Sequence, residues 1–301
     1  MSGEQIVIES GSTSVTVVEV GAGLATMTVG DRDVVDGFGP DEMVPSARGQ
    51  VLLPWPNRIA GGQYRWDGEL AQLPVNEVDL NTAIHGLVRF TAWRIGDRGP
   101  DRVELNHRLW PSPGYPHTVD LAIGYVVGPG QVTVTTSARN AGASTAPFGA
   151  GQHPYLLPPG GISLDDCTLR VPARHYMETD RRGLPVAEHA VGGAELDFRD
   201  PRRLGDARLD TAFTGLDRDG SGRAVVVLEG HAGATSVWLG PGYTWVQVFT
   251  GDTVPAPRTR RAVAVEPMTC PPNAFVTGRD VIRLEPGATW SATWGIAVEP
   301  A

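Results

Sequence analysis

Residues 261–275 read RAVAVEPMTCPPNAF, a short apolar run closed by prolines. Val263 and Val265 alternate with smaller residues, the two-residue period of a strand buried on one face. Pro267 is expected to end that strand, with Pro271 and Pro272 close behind, because proline fixes φ and removes a ladder donor. Glu266 then stands at a rigid strand end, where a carboxylate can be desolvated and aimed as a general base requires.

Working outward, the same kind of short apolar run recurs at 5–9, 14–18, 24–29, 119–127, 131–136, 224–228, 235–239, 245–249 and 289–296. Turn signals separate the runs: Asp67-Gly68, Asn140-Ala141-Gly142, Asp219-Gly220-Ser221-Gly222, Pro241-Gly242 and Pro286-Gly287. No stretch of about a dozen residues carries a 3.6-residue apolar period. With 38 Gly and 25 Pro in 301 residues, many short elements joined by tight turns are expected. The fold class that follows is all-β, a large many-stranded antiparallel β-sandwich. The PPGG at 158–161 and PAP at 255–257 are too short to be domain linkers, and no fixed-period repeat suggests a propeller. Residues 1–301 are therefore expected to form one β-sandwich domain.

Composition narrows the chemistry. At 41% hydrophobic residues with eight Trp, the chain can build a substantial core. The net charge of −9, without a basic stripe, gives no reason to expect a nucleic-acid partner. All 25 basic side chains are arginine, so Schiff-base chemistry, pyridoxal phosphate anchoring and P-loop phosphate binding lack their lysine. Cys167 and Cys270 are the only cysteines and have no CxxC spacing, which fits neither a disulfide scaffold nor a zinc ribbon. The first ten residues, MSGEQIVIES, have neither a charged n-region nor an apolar h-region, and no run approaches the roughly 20 residues that cross a bilayer. A cytoplasmic protein without a membrane partner is expected; monomer and homodimer stay open.

Other candidates lie in settings like that of Glu266. In LLPWPNRIAGGQYRWDG, residues 52–68, Asn57-Arg58 follows a Pro-Trp-Pro corner, and Arg offers a planar fork of donors for hydroxyls or a carboxylate. His85 precedes Gly86, and His153 stands between flexible glycines and Pro154. An imidazole titrates near neutrality and can give or take a proton at cellular pH. Asp210, in RLDTAF at 208–213, is a further acid/base candidate. Singly, each has a structural reading: a surface Glu, an Arg paired with a structural acid, a core His, a turn Asp. His107, His117, His175, His189 and His231 lie among charged or turn residues and receive no role.

Taken in order, Asn57-Arg58, His85-Gly86, His153-Pro154-Tyr155, Leu209-Asp210 and Glu266-Pro267 with its proline-rich turn resemble the aldose 1-epimerase (mutarotase) family. The resemblance implies a galactose mutarotase-type sandwich, an aldose sugar as substrate, and no cofactor or catalytic metal. It also implies that Glu266 is the general base and His153 the general acid, that His85 and Arg58 orient the sugar with Asn57 beside them, and that Asp210 binds its hydroxyls. The sequence departs from the galactose-handling pattern at Leu87, where a second Gly is usual, and at Gln152, where Asn is usual. Leu156-Leu157 replaces Phe-Asn, and residues 267–272 replace a polar run. The wording VLLPWPNRI, HGLVRF and EPMTCPPNAF is closer to a bacterial branch that includes mutarotase-like proteins of sulfosugar metabolism.

The expected reaction is interconversion of the α and β anomers of a free hexose, with ionised Glu266 taking the C1 hydroxyl proton while protonated His153 protonates the ring oxygen. Trp55, Tyr155 and Phe249 are candidates for an apolar platform under the sugar. The alternatives are an epimerase of a sugar phosphate or sulfosugar using Arg58, Arg65 or Arg89, a non-catalytic sugar-binding module, and a metal enzyme using His85, His153 and Glu266. A glycosidase pairing Glu266 with Asp210 would leave the histidines idle.

Overall fold

In the computed structural model, which describes residues 1–299, every pairing of named strands is antiparallel. The largest sheet has nine strands. Its centre is Arg102–Leu109, Val119–Gly128, Gln131–Asn140, Thr289–Glu299, Gly233–Leu239 and Ala224–Gly230, in that spatial order. The 119–128 strand shows why these residues choose β structure. Val119, Leu121, Ile123, Tyr125 and Val127 are buried and their intervening neighbours are not, so one face of the pleat is apolar. Pro129-Gly130 turns the chain back, and ten residue pairs zip against 131–140.

The second sheet has eight strands and carries the site. Its order runs Pro185–Ala190, Ala173–Thr179, Asp210–Leu216, Trp245–Phe249, Val263–Met268, Gly151–Gln152 and Val51–Leu52, with Tyr155–Leu156 also pairing to the 263–268 strand. One apolar cluster joins Val132, Val134, Val237 and Ile296 of the first sheet to Phe213, Val246, Val248, Val263 and Val265 of the second. A four-stranded meander, Gln5–Ser10 through Arg32–Asp33, contributes Ile6, Ile8, Val15 and Val17 to the same core. The β-sandwich expectation holds. Among the described residues the one α-helix is Ala274–Thr277, and no helix is long and apolar enough to cross a membrane.

The deciding strand differs from its expected form in two ways. It is buried on both faces: Val263 and Val265 enter the inter-sheet core, while Ala264, Glu266 and Met268 face the opposite side, beneath loops. It also runs through Pro267 to Met268. Val265 N–H donates to Pro154 O and Thr269 N–H to Ala150 O, so Pro267 turns its donorless nitrogen to that same edge. There the 151–152 strand has ended and the 155–156 strand has not begun, and no ladder bond is lost. The break that spares Pro267 is the one that frees His153.

Candidate active site

Glu266 projects from mid-strand, directly across from Gln247. It is 2% exposed; its Oε1 lies 3.3 Å from His153 Nε2 and its Oε2 has no partner. His153 is held by its backbone, which donates to Gln50 O at 3.1 Å and accepts from Gly49 N–H at 2.8 Å. Its ring stacks on Tyr155, with centroids 4.9 Å apart and planes inclined by 10°. Opposite charge states are disfavoured in this dry pair. Burial pushes the Glu266 carboxyl well above the usual carboxylate range; Asp210 adds to the rise and Arg58 opposes it. Burial, then the charge of Arg48, holds His153 down to about 3. Both shifts favour a protonated carboxyl beside a neutral imidazole over the ion pair.

His85 follows the strand Thr82–Ile84 and sits at φ +64°, a left-handed conformation that costs a bulky residue on the order of 1–3 kcal/mol. Two contacts with Asn57 (itself at φ +54°) hold it: His85 N–H donates to Asn57 O at 2.9 Å, and Asn57 N–H donates to His85 Nδ1 at 3.2 Å. An accepting Nδ1 leaves the ring hydrogen on Nε2, and burial keeps this imidazole neutral. Gly86 is required where it stands. Its φ is +72° and a Cβ would lie 1.9 Å from Leu53 O.

Arg58 forks onto Glu77, Nε to Oε2 at 2.8 Å and Nη2 to Oε1 at 3.0 Å. Asp210 Oδ1 accepts from Gln247 Nε2 at 2.6 Å, which fixes the amide and leaves Gln247 Oε1 buried without a partner. Glu266, His153, Arg58, His85, Asp210 and Asn57 all line one pocket of about 260 Å³. The six residues given catalytic or sugar-binding roles by the resemblance are thus brought together.

Sequence reading marks neither Glu77 nor the Ser46-Ala47 turn, which also line the pocket, nor Gln247, which donates to Asp210. Arg89, expected as an anion ligand under the sugar-phosphate or sulfosugar reading, lines the pocket too; its guanidinium has no carboxylate partner among the described residues. Its two hydrogen-bond contacts, to Gln50 Oε1 and Ile84 O, are both 3.4 Å long, its guanidinium carbon lies 5.2 Å from the centroid of the Phe90 ring, and burial lowers it to about 10. Of the proposed aromatic platform, Tyr155 and Phe249 line the pocket, whereas Trp55 packs on Phe275 in the core. Arg65 is exposed and bonds Gly68 O, away from the site. Among the described residues no three His, Cys, Asp or Glu side chains group in a way that would hold a metal ion.

The positions that depart from the galactose-handling pattern lie behind the lining. Gln152 Nε2 donates to Tyr125 Oη and Gly49 O in the interior, and Leu87 and Leu156 pack into the core.

Known proteins share both the sequence pattern and the fold. The family model described as aldose 1-epimerase matches residues 4–297. The uncharacterized protein YihR of Escherichia coli K12 is 35% identical over 287 residues, covering 95% of this chain and 90% of that protein. The galactose mutarotase of Rattus norvegicus is 27% identical over 239 residues, 72% of this chain and 66% of the relative. The crystal structure of a GalM/aldose epimerase homologue from C. elegans superposes with a TM-score of 0.88 at 17% identity, covering 99% of both chains. A match that runs nearly end to end, and takes in all five motifs around the pocket, places this chain in the aldose 1-epimerase family.

Proposed function

We propose that the chain is an aldose 1-epimerase that interconverts the α and β anomers of a free hexose. The observation that carries this reading is the 3.3 Å contact between His153 Nε2 and Glu266 Oε1, a buried imidazole and carboxyl side by side in a pocket lined by polar groups. Ring opening needs a proton taken from the C1 hydroxyl and one given to the ring oxygen. Glu266 as carboxylate takes the first and His153 as imidazolium gives the second, each step worth roughly 10²–10⁴-fold. Opening leaves Glu266 protonated and His153 neutral. The C1–C2 bond rotates, and closure on the other face of the aldehyde returns both protons.

Burial favours the state that opening leaves behind over the ion pair from which opening starts, and a bound sugar redresses that balance. Its hydroxyl hydrogens reach the unpartnered Oε2, and with Arg58 they favour the carboxylate, so the proton crosses to His153. His85, neutral and donating from Nε2, and Asp210, accepting, suit the remaining hydroxyls. The test is NMR magnetisation exchange between α and β anomeric protons at equilibrium, for glucose, galactose and sulfoquinovose. Acceleration of any one supports the reading; no acceleration of any from folded protein, with sugar binding retained, would make this a binding module instead.

A second reading has its own observation. Arg89 is the pocket arginine without a carboxylate partner, a setting that suits a sugar bearing a phosphate or sulfonate. Competition of hexose turnover by inorganic phosphate or sulfate, lost in Arg89→Met, would favour it.

A further inference from the structure

Around His153 is a group of residues to which the proton chemistry gives no task. Arg48 is 1% exposed and its Nε donates to Asp36 Oδ2 at 2.8 Å. Its Nη1 donates to Pro45 O at 3.1 Å, and its guanidinium carbon lies 4.2 Å from the centroid of the Tyr155 ring. The Tyr155 hydroxyl donates to Ser46 O at 3.1 Å. Asp36 is held in turn by Arg258 Nη1 at 2.9 Å and Arg261 Nε at 3.4 Å. Ser46 and Ala47 stand at φ +49° and +58° and form part of the pocket wall.

We propose that Arg48 and Tyr155 are positioning residues for His153, a stacked unit anchored on Asp36 that fixes the plane of the imidazole and couples it to the 45–47 wall. His153 needs such support because no hydrogen bond orients its ring from behind: Nδ1 is buried and unpartnered. In many acid/base sites a carboxylate or carbonyl on the far nitrogen sets tautomer and tilt. Here the nearly parallel Tyr155 face takes over the tilt, and Arg48 and Ser46 O keep that face from turning. Arg48 has a second effect, since a fixed cation close to the imidazole opposes its protonation. The groups facing His153 are Glu266, the edge of His85 at 5.4 Å, the Tyr155 face, and the charges of Arg48, Arg89 and Arg58.

The inference rests on the epimerase reading for its rate measurement, but a second measurement is independent of it. Long-range ¹H–¹⁵N spectra of the full chain, with His153 assigned by its loss in His153→Gln, report tautomer and titration without turnover. Tyr155→Phe keeps the ring but loses the bond to Ser46 O, so it should shift the tautomer balance and lower kcat in the same direction as Tyr155→Leu, and by less than about tenfold. Tyr155→Leu removes the face and should mix the two tautomers, lowering kcat by about 10²-fold with KM little changed, the effect of a misplaced group rather than lost binding. Arg48→Met should raise the pH at which His153 titrates. Because that variant also strips a partner from buried Asp36, the Tyr155 pair decides the matter if it does not fold. Tyr155→Leu with wild-type tautomer and kcat would overturn the proposal, as would a folded Arg48→Met with unchanged titration. If the spectra respond as stated but the wild type does not speed anomer exchange, the epimerase reading fails and the positioning role stands.

Discussion

Replacing Glu266 by Gln should destroy activity while making the protein more stable. The carboxyl is 2% exposed and one oxygen has no partner, so the side chain is kept at the expense of folding energy. Burial holds its proton in the folded chain at pH values where the unfolded chain has already released it. Wild-type stability therefore falls as pH rises from the ordinary carboxylate range toward the raised value of Glu266. The amide has the same shape, cannot ionise, and presents an N–H where the protonated carboxyl presented O–H. Each pH unit across which the folded chain keeps a proton that the unfolded chain has released costs the wild type about 1.4 kcal/mol, so Glu266→Gln should melt a few degrees above wild type at pH 8 and level with it near pH 4. Activity moves the other way. One shared proton serves both transfers, so the loss is at least about 10⁴-fold, or about 5 kcal/mol of barrier. Anomer exchange by NMR and thermal melts at the two pH values check the pair of effects. A variant within tenfold of wild-type rate removes Glu266 from the proton path. A variant with the wild-type pH dependence of Tm shows that this carboxyl is not held protonated by burial.

The single shared proton also predicts the pH profile: kcat/KM should stay level from about pH 4 through neutrality and fall above the raised value of Glu266, and an inflection near 6.5 would mean His153 titrates as a free imidazole. Asp210→Asn removes the charge that helps raise Glu266, so the alkaline fall should move to lower pH while KM rises about tenfold or more; an unmoved limb would separate the two carboxyls. Gly86→Ala places a Cβ 1.9 Å from Leu53 O in a left-handed backbone, costing at least about 1–2 kcal/mol from conformation alone, and a wild-type urea midpoint would refute the placement of this turn.

The parts of this molecule that sequence discloses are those where one residue's local pattern answers to one structural demand. Alternation along 119–127 answers to a sheet with a single buried face, and the turn dipeptides answer to hairpins that need positive φ. Pattern reading faltered where a strand had two masters. The 263–268 strand looked half-buried because Ala264 is small, yet loops cover its second face and Glu266 lies deep beneath them. The edge strand Pro185–Ala190, half exposed along PVAEHA, gives no apolar period to read at all. Among site residues, the motifs held Arg58, His85, His153 and Asp210, which reach the pocket from strand ends, and Glu266, which reaches it from mid-strand beside a proline. Glu77 and Arg48 were invisible because each acts through a partner far along the chain, Arg58 at 19 residues and Asp36 at 12, in segments with no turn or period to mark them.

That division bears on substrate choice. The residues by which this chain departs from galactose-handling relatives were the natural place to look for altered specificity, yet Leu87, Gln152 and Leu156 line no part of the pocket. Their effect on a sugar can only be indirect: Gln152 tethers Tyr125 and Gly49, and Gly49 N–H in turn holds the carbonyl of His153. Direct discrimination falls to side chains with spare hydrogen-bonding capacity at the lining. Of these Arg89 has the most to give, a charge whose burial is offset by two long hydrogen bonds, the Phe90 ring and the field of Glu77, with no carboxylate in contact. A neutral hexose would leave that charge unanswered and an anionic one would answer it, so the sugar selectivity of this chain should follow Arg89 rather than the motif positions that first set the sequence apart.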